Sequence, residues 1–328
     1  MIGSRCRDPC VFTLVCALLA VGGCATADYA DGVDSFSQAI SQASATEQTL
    51  ATSSEQVLLA DYVHDSAGHD AVVDFSKCRG IPGPYKAGDC VLEVNGKAPP
   101  TVEPSSMTGL TKYAAALSGV VGDRTCSSLQ SDADNIASAV TSMATDAKHP
   151  EMASNASPLA TIASSVACAA IEREQLAILR EATKDANPVI QKLVPVIADK
   201  DQAMYMEIID EDLRQLDHAA PDYNATKSAS DLTKVIALTK AADAAQALQP
   251  GALINNIGTL HQALTDELQA PKVDLKTVAA DAQALATQAA RVRAAVDQLS
   301  QATATSAATV PAAPAKGKPN GGKKKLPT

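Results

Sequence analysis

Leu275, Val278, Ala282, Leu285, Ala289, Val292, Val296 and Leu299 follow one another in alternating steps of three and four residues, and every one is apolar. That spacing is the seam of a heptad helix, and a strand with its period of two cannot place these residues on one face. A helix striped in this way cannot cover its own seam, so it demands a partner helix. A second seam lies near the other end of the chain. Over Tyr29 to His64, Val33, Phe36, Ile40, Ala43, Leu50 and Val57 keep the same steps, with Glu47 and Ser54 as two polar misfits. The two heptad helices are expected to pack together, and small residues at the seams permit close approach.

Between them the chain reads as further helices. One is expected from Ser106 to Ala147 through Leu110, Leu117, Val121, Leu129, Ile136, Val140 and Met143, with Gly119 and Gly122 bending it or admitting a close neighbour. Another is expected from Ser157 to Lys184. Asn187-Pro188 then reads as an N-cap followed by proline at the first helical position, opening a helix that reaches His218 with an early kink at Pro195. Pro221 separates it from a helix over Ser228 to Leu248, which Pro250-Gly251 ends. Leu253, Ile257, Leu260 and Leu264 mark a short helix before Pro271.

Residues 67–104 break the helical pattern. Ala71-Val72-Val73-Asp74-Phe75 and Val91-Leu92-Glu93-Val94 read as short strands, and Gly80, Pro82, Gly83, Pro84 and Gly88 fill the loop between them. The expected fold class is all-α: an elongated, antiparallel, coiled-coil-like helical bundle over 24–308, with a small disulfide-bonded β-like insertion at 67–104. Residues 309–328, rich in Pro, Gly and Lys, read as a disordered basic tail.

The first residues carry an address. Arg5 and Arg7 precede a short apolar run, Val11 to Ala20, too short to span a bilayer, and small residues follow. Val21-Gly22-Gly23-Cys24 resembles the bacterial lipobox. That resemblance implies removal of a signal peptide, 1–23, thioether lipidation of Cys24, and, with Ala25 next in line, an outer-membrane lipoprotein facing the periplasm. Ala25-Thr26-Ala27 also matches an ordinary signal-peptidase site. Cutting there discards Cys24 and releases a secreted or periplasmic soluble protein.

Of eight cysteines, Cys78, Cys90, Cys126 and Cys168 remain under either cleavage, an even number in an exported chain. Three connectivities are open. Cys78 with Cys90 closes the Gly/Pro-rich loop. Cys126 and Cys168 are equidistant from a turn at Lys148-His149-Pro150-Glu151, which sets them opposite each other in a helical hairpin, as the short separation of a disulfide requires.

The chain has 27 Lys and Arg against 37 Asp and Glu, a net charge of −10. Lys316, Lys318, Lys323, Lys324 and Lys325 crowd the tail, so the body is more acidic still and repels nucleic acid backbones. With no Trp and three Phe, stacking platforms for sugars, bases or flavins are thin.

No G-x-S-x-G, H-E-x-x-H or phosphate-cradling Gly loop occurs, so no catalytic, cofactor-binding or metal residue is assigned. His64-Asp65 with His69-Asp70 is the densest ligand-type cluster, at a spacing that matches no zinc signature. Glu207, Asp210, Glu211 and Asp212, with Arg214 and His218, read as a solvated face laced by an Asp210–Arg214 pair. His261 reads as a packed or surface histidine.

The function that follows is a non-enzymatic, membrane-anchored scaffold or adaptor of the cell envelope, binding a protein partner through helical surfaces. A second reading is a secreted helical protein that inserts in or remodels membranes, with Leu159 to Ile171 as the candidate segment. A third is a metal-binding protein or enzyme using the His64–Asp70 cluster.

Overall fold

The computed structural model describes residues 10–67, 73–74, 93–94, 97–102, 107–122, 125–152 and 171–307, with side chains over 29–63, 97–102, 107–122, 125–152 and 171–303. The chain is all-α. Helix α1 runs Cys10–Ala67, α2 Met107–Gly122, α3 Cys126–Asp146, α4 Ile171–Thr226, α5 Ala229–Gln246, α6 Pro250–Gln269 and α7 Lys276–Ala307. Two two-residue strands, β1 Val73–Asp74 and β2 Glu93–Val94, pair antiparallel, Val73 opposite Val94 and Asp74 opposite Glu93. Cys78 and Cys90, expected to pin this segment, lie outside the described residues.

All eight seam positions of α7 are buried, from Leu275 to Leu299, and so are the six apolar seam positions of α1. The two seams meet in one of the most extensive helix contacts of the bundle. Gly32 lies against Leu275 so closely that a methyl group there collides with it. Further along, Thr46 donates to the carbonyl of Ala289 at 3.0 Å and Ser53 bonds Ser300 at 3.0 Å. Each step up α1 is a step up α7, so the pair is parallel. The same holds for α1 and α4, where Ser54 meets Glu207 and Asp61 meets Arg214. The expectation of a purely antiparallel bundle is therefore corrected. The physical reason is alternation: α2 runs back along α1, with Val120 near Tyr29 and Tyr113 near Phe36, and α6 runs back along α4, so α4 and α7 each regain the direction of α1. α4 and α6 are antiparallel, Gln191 bonding Gly258 and Arg180 bonding Leu268.

The expected single helix over 106–147 is two. α2 ends at Gly122, Thr125 caps α3 by accepting from the Ser128 amide, and the two helices fold back on each other, Gly109 against Met143 and Gly119 against Asp132. Gly119 thus serves close approach rather than a bend, whereas Gly122 ends α2 with no neighbour within 4 Å of an added methyl. α3 stops where expected. Ala147 is its cap, Lys148 adopts φ 60°, and the amides of Lys148 and His149 return to the carbonyls of Thr145 and Ala144. That is a Schellman closure built on lysine, with Pro150 beyond it.

Helix α4 is the largest departure. It absorbs Pro188, Pro195 and Pro221 in 56 unbroken residues, about 84 Å at a rise of about 1.5 Å per residue. Asn187 is not an N-cap but an interior residue. Each proline forfeits one helical hydrogen bond; around Pro188 and Pro195 the apolar surface of Val189, Ile190, Leu193, Val194 and Ile197 is buried and holds the helix together, while Pro221 lies exposed in its last turns. α4 also closes the carbonyl ends of three other helices. Gln175 donates to Val120 of α2 at 2.8 Å, Arg180 to Leu268 and Ala270 at the end of α6 at 2.6 and 2.9 Å, and Tyr205 to Ala245 of α5 at 2.8 Å. Pro250, expected to end a helix, is instead the first residue of α6, and Ser228, the expected start of the preceding helix, caps α5 by accepting from the Asp231 amide.

Candidate functional site

The two misfits of the α1 heptad, seven residues apart, are buried. Glu47 and Ser54 point into the bundle, and α4 meets them with its own polar residues at the same interval. Ser54 donates to Glu207 Oε2 at 2.6 Å, and one heptad further Asp61 takes both terminal nitrogens of Arg214 at 2.9 and 3.0 Å. At the deep end Glu47 is fully covered, and Asp201 and Lys200 of α4 are the charged groups acting on it. The result is a polar ladder along a parallel helix pair.

Its electrostatics are unusual. Neither oxygen of Glu47, neither oxygen of Asp212 and not Oδ1 of Asp201 has a hydrogen-bond partner. An ionised carboxylate so placed is costly, and the group responds by holding its proton. Burial, then the neighbouring Asp201, push the Glu47 carboxyl up to about 8 against the pull of Lys200. Burial raises Asp201 to about 7, again opposed by Lys200. Asp212 is raised to about 6 by burial and by Glu211. These three groups bind and release protons near neutrality. The expectation of a solvated face over 207–218 is therefore corrected: Glu211 and Asp212 are buried, and Arg214 pairs with Asp61 and with Glu211 at 2.7 Å rather than with Asp210. Asp210 and His218 are exposed. The cause is the presence of α1 on that side of α4.

A second polar cluster sits in the core. His261 of α6 is fully buried, packed against Phe36 and Tyr113 at ring separations of 5.8 and 5.6 Å. Its Nε2 lies 2.9 Å from the Tyr113 hydroxyl and its Nδ1 lies 3.1 Å from Oδ1 of Asn187. Burial lowers its pKa to about 3, so the ring is neutral. The reading of His261 as a packed histidine thus fits, and its polar partners are an addition.

Cys24 lies on α1, and its side chain is outside the described ones, as is that of His64. Cys168, His69, Asp70 and residues 159–170 fall outside the described residues, the last covering most of the segment singled out for membrane insertion. Cys126 opens α3 and is disulfide-bonded. Among the described residues no group of three or more His, Cys, Asp or Glu is placed to hold a metal ion, and no helix is long and apolar enough to cross a membrane. His149, exposed in its turn, pairs with Glu151 at 2.8 Å.

The surface grooves are shallow seams between helices. One of about 570 Å³ between α2 and α3 is lined by Lys112, Ala116, Asp132, Asn135 and Ser142. Sequence reasoning missed the ladder, although its signal was present: two polar misfits seven residues apart in an otherwise apolar seam mark polar groups carried into an interface. Compared with protein-family models, with curated proteins and with solved structures, the chain matches none.

Proposed function

We propose that the mature chain is a lipid-tethered scaffold or adaptor of the bacterial cell envelope, anchored through Cys24 in the outer membrane and facing the periplasm. The observation that carries this reading is Val21-Gly22-Gly23-Cys24 behind a short apolar run with two preceding arginines. Helix α1 supports it mechanically. Cys24 and the core residue Tyr29 are five positions apart on one continuous helix, about 7.5 Å along its axis, so a lipid at Cys24 couples directly to the bundle. Several acyl chains hold such a protein stably, at about 0.8 kcal/mol per buried methylene.

The cysteines complete the proposal. Oxidation outside the cytoplasm pairs Cys78 with Cys90 across the insertion and Cys126 with Cys168 beside α3. The long helices then act as a rigid spacer whose outer faces engage a protein partner.

Intact mass and N-terminal analysis of the membrane-purified protein test the tether. The expected result is a chain beginning at Cys24 and carrying acyl mass. A free amino terminus at Asp28 without acyl groups overturns it. Crosslinking in native cells tests the adaptor role, and capture of no protein overturns that part.

A further inference from the structure

The two halves of α1 are held by different forces. From Val33 to Ala43 the helix buries Val33, Phe36, Ala39, Ile40 and Ala43 completely. From Thr46 onward the covered residues are mostly polar, Thr46, Glu47, Ser53 and Ser54, with Leu50 and Val57 as the buried apolar ones, and Leu59 and Val63 are exposed at 44% and 56%. The second half is held on α7 by Thr46 and Ser53 and on α4 by the ladder, and the ladder contains five carboxyl oxygens without hydrogen-bond partners.

We propose that the α1–α4 seam beyond Ala43 is a proton-held clasp, closed while Glu47 and Asp201 are neutral and released when they ionise. Ionising both sets two charges against each other at a buried seam, where three of their four oxygens have no hydrogen-bond partner. Hydrating them requires the helices to part, because no other donor reaches Glu47. Among the described residues, Lys200 on α4 is the cation acting on this pair. Further up, Arg214 is engaged by Asp61 and Glu211, and Asp212 is opposed by Glu211. The other elements packed on α1 present their charges elsewhere: on α7, Arg293 reaches Gln42 and Asp297 lines the groove beside Ser53 and Ser300. α2 meets α1 through Ser118 on Asp34, and α6 meets it through neutral His261 on Phe36.

Release lets the arm from Glu47 to Val63 part from α4, enlarging the apolar surface that Leu59 and Val63 already expose. The lower half stays docked on its apolar seam. A local opening of this kind draws on the least stable part of the fold.

Hydrogen–deuterium exchange of the full chain between pH 6 and pH 9, corrected for the intrinsic rate of each amide, tests the clasp. The expected result is a tenfold or greater loss of protection over residues 48–63 with little change over 30–43. Glu47→Gln and Asp201→Asn, singly and together, flatten that pH dependence while leaving the helical content intact. Protection that changes equally in both halves, that does not change with pH, or that keeps its pH dependence in the double variant overturns the proposal.

Discussion

Asp266, at the surface, decides which ring nitrogen of buried His261 carries the proton. The carboxylate can only accept, so the Gln262 amide must donate to it, at 2.8 Å. The Gln262 oxygen therefore accepts from Asn187 Nδ2 at 2.6 Å, which leaves the Asn187 oxygen to face His261 Nδ1. An amide oxygen offers no proton, so Nδ1 is protonated and Nε2 accepts from Tyr113. Nitrogen-15 spectra of the histidine rings are expected to show a neutral Nδ1–H tautomer for His261 still unprotonated at pH 5. An imidazolium at that pH contradicts the assignment.

The same ring makes the protein acid-sensitive. A histidine that is neutral when folded, with a pKa of about 3 against an ordinary 6.5, binds a proton only on unfolding. Its contribution to stability is complete above about pH 6.5 and is lost as pH falls toward 3. In His261→Phe, urea denaturation is expected to show a loss of about 1–3 kcal/mol at pH 7, because Tyr113 loses its partner, together with a shallower decline in acid.

The buried carboxyls act in the opposite direction. Asp212, raised to about 6, favours the folded state when protonated, so its cost grows as pH rises from 3.8 through 6. Asp212→Asn is expected to add about 1–3 kcal/mol at pH 7.5 and almost nothing at pH 4, by chemical denaturation at the two values. Glu47 and Asp201 extend the decline to about pH 8. His261 opposes them below pH 6.5 with one proton against three, so stability falls with rising pH from about pH 5 to 8, most steeply between about pH 5 and 6.5, where the three carboxyls still hold most of their protons.

Gly109 and Gly122 form a matched pair on one helix. A methyl on Gly109 comes within 2.8 Å of Met143 Cγ and 3.3 Å of the Met143 amide nitrogen, whereas one on Gly122 meets nothing within 4 Å. Gly109→Ala is expected to cost about 1–3 kcal/mol by overpacking. Gly122→Ala is expected to be neutral or to stabilise by up to about 1 kcal/mol, since alanine is the better helix former. Thermal melts of the two variants check the contrast.

Arg180 closes α6 from another helix, through Leu268 and Ala270. Arg180→Met keeps the stem and removes both bonds, with an expected loss of about 1–3 kcal/mol. Exchange of amides in the last turn of α6 is expected to rise more than exchange at its start.

The parts of this fold that the sequence made legible are those whose seams are long and apolar. Leu275 to Leu299 and Val33 to Val57 marked their buried faces because a three-and-four spacing has one helical meaning, and both helices pack as their stripes require. Pro188 and Pro195 misled because a proline's local cost is read from the chain, while the burial of Ile190, Leu193 and Ile197 that outweighs it is a tertiary fact. Gly122 and Thr125 carried the break between α2 and α3, but Leu117 and Leu129 keep a helical rhythm across it. Glu47 was visible as an irregularity. Its meaning was not, since the residue facing it, Asp201, lies more than 150 positions away.

The three closures made by α4 tie its rotational phase to its surroundings. Gln175, Arg180 and Tyr205 stopper the ends of three neighbours from one shaft, so a residue inserted or deleted between Gln175 and Tyr205 swings the plugs beyond it about 100° out of phase with those before it. Drift in length is thereby barred from this shaft and diverted to the turns, which gives the molecule one ruler against which its other rods are cut.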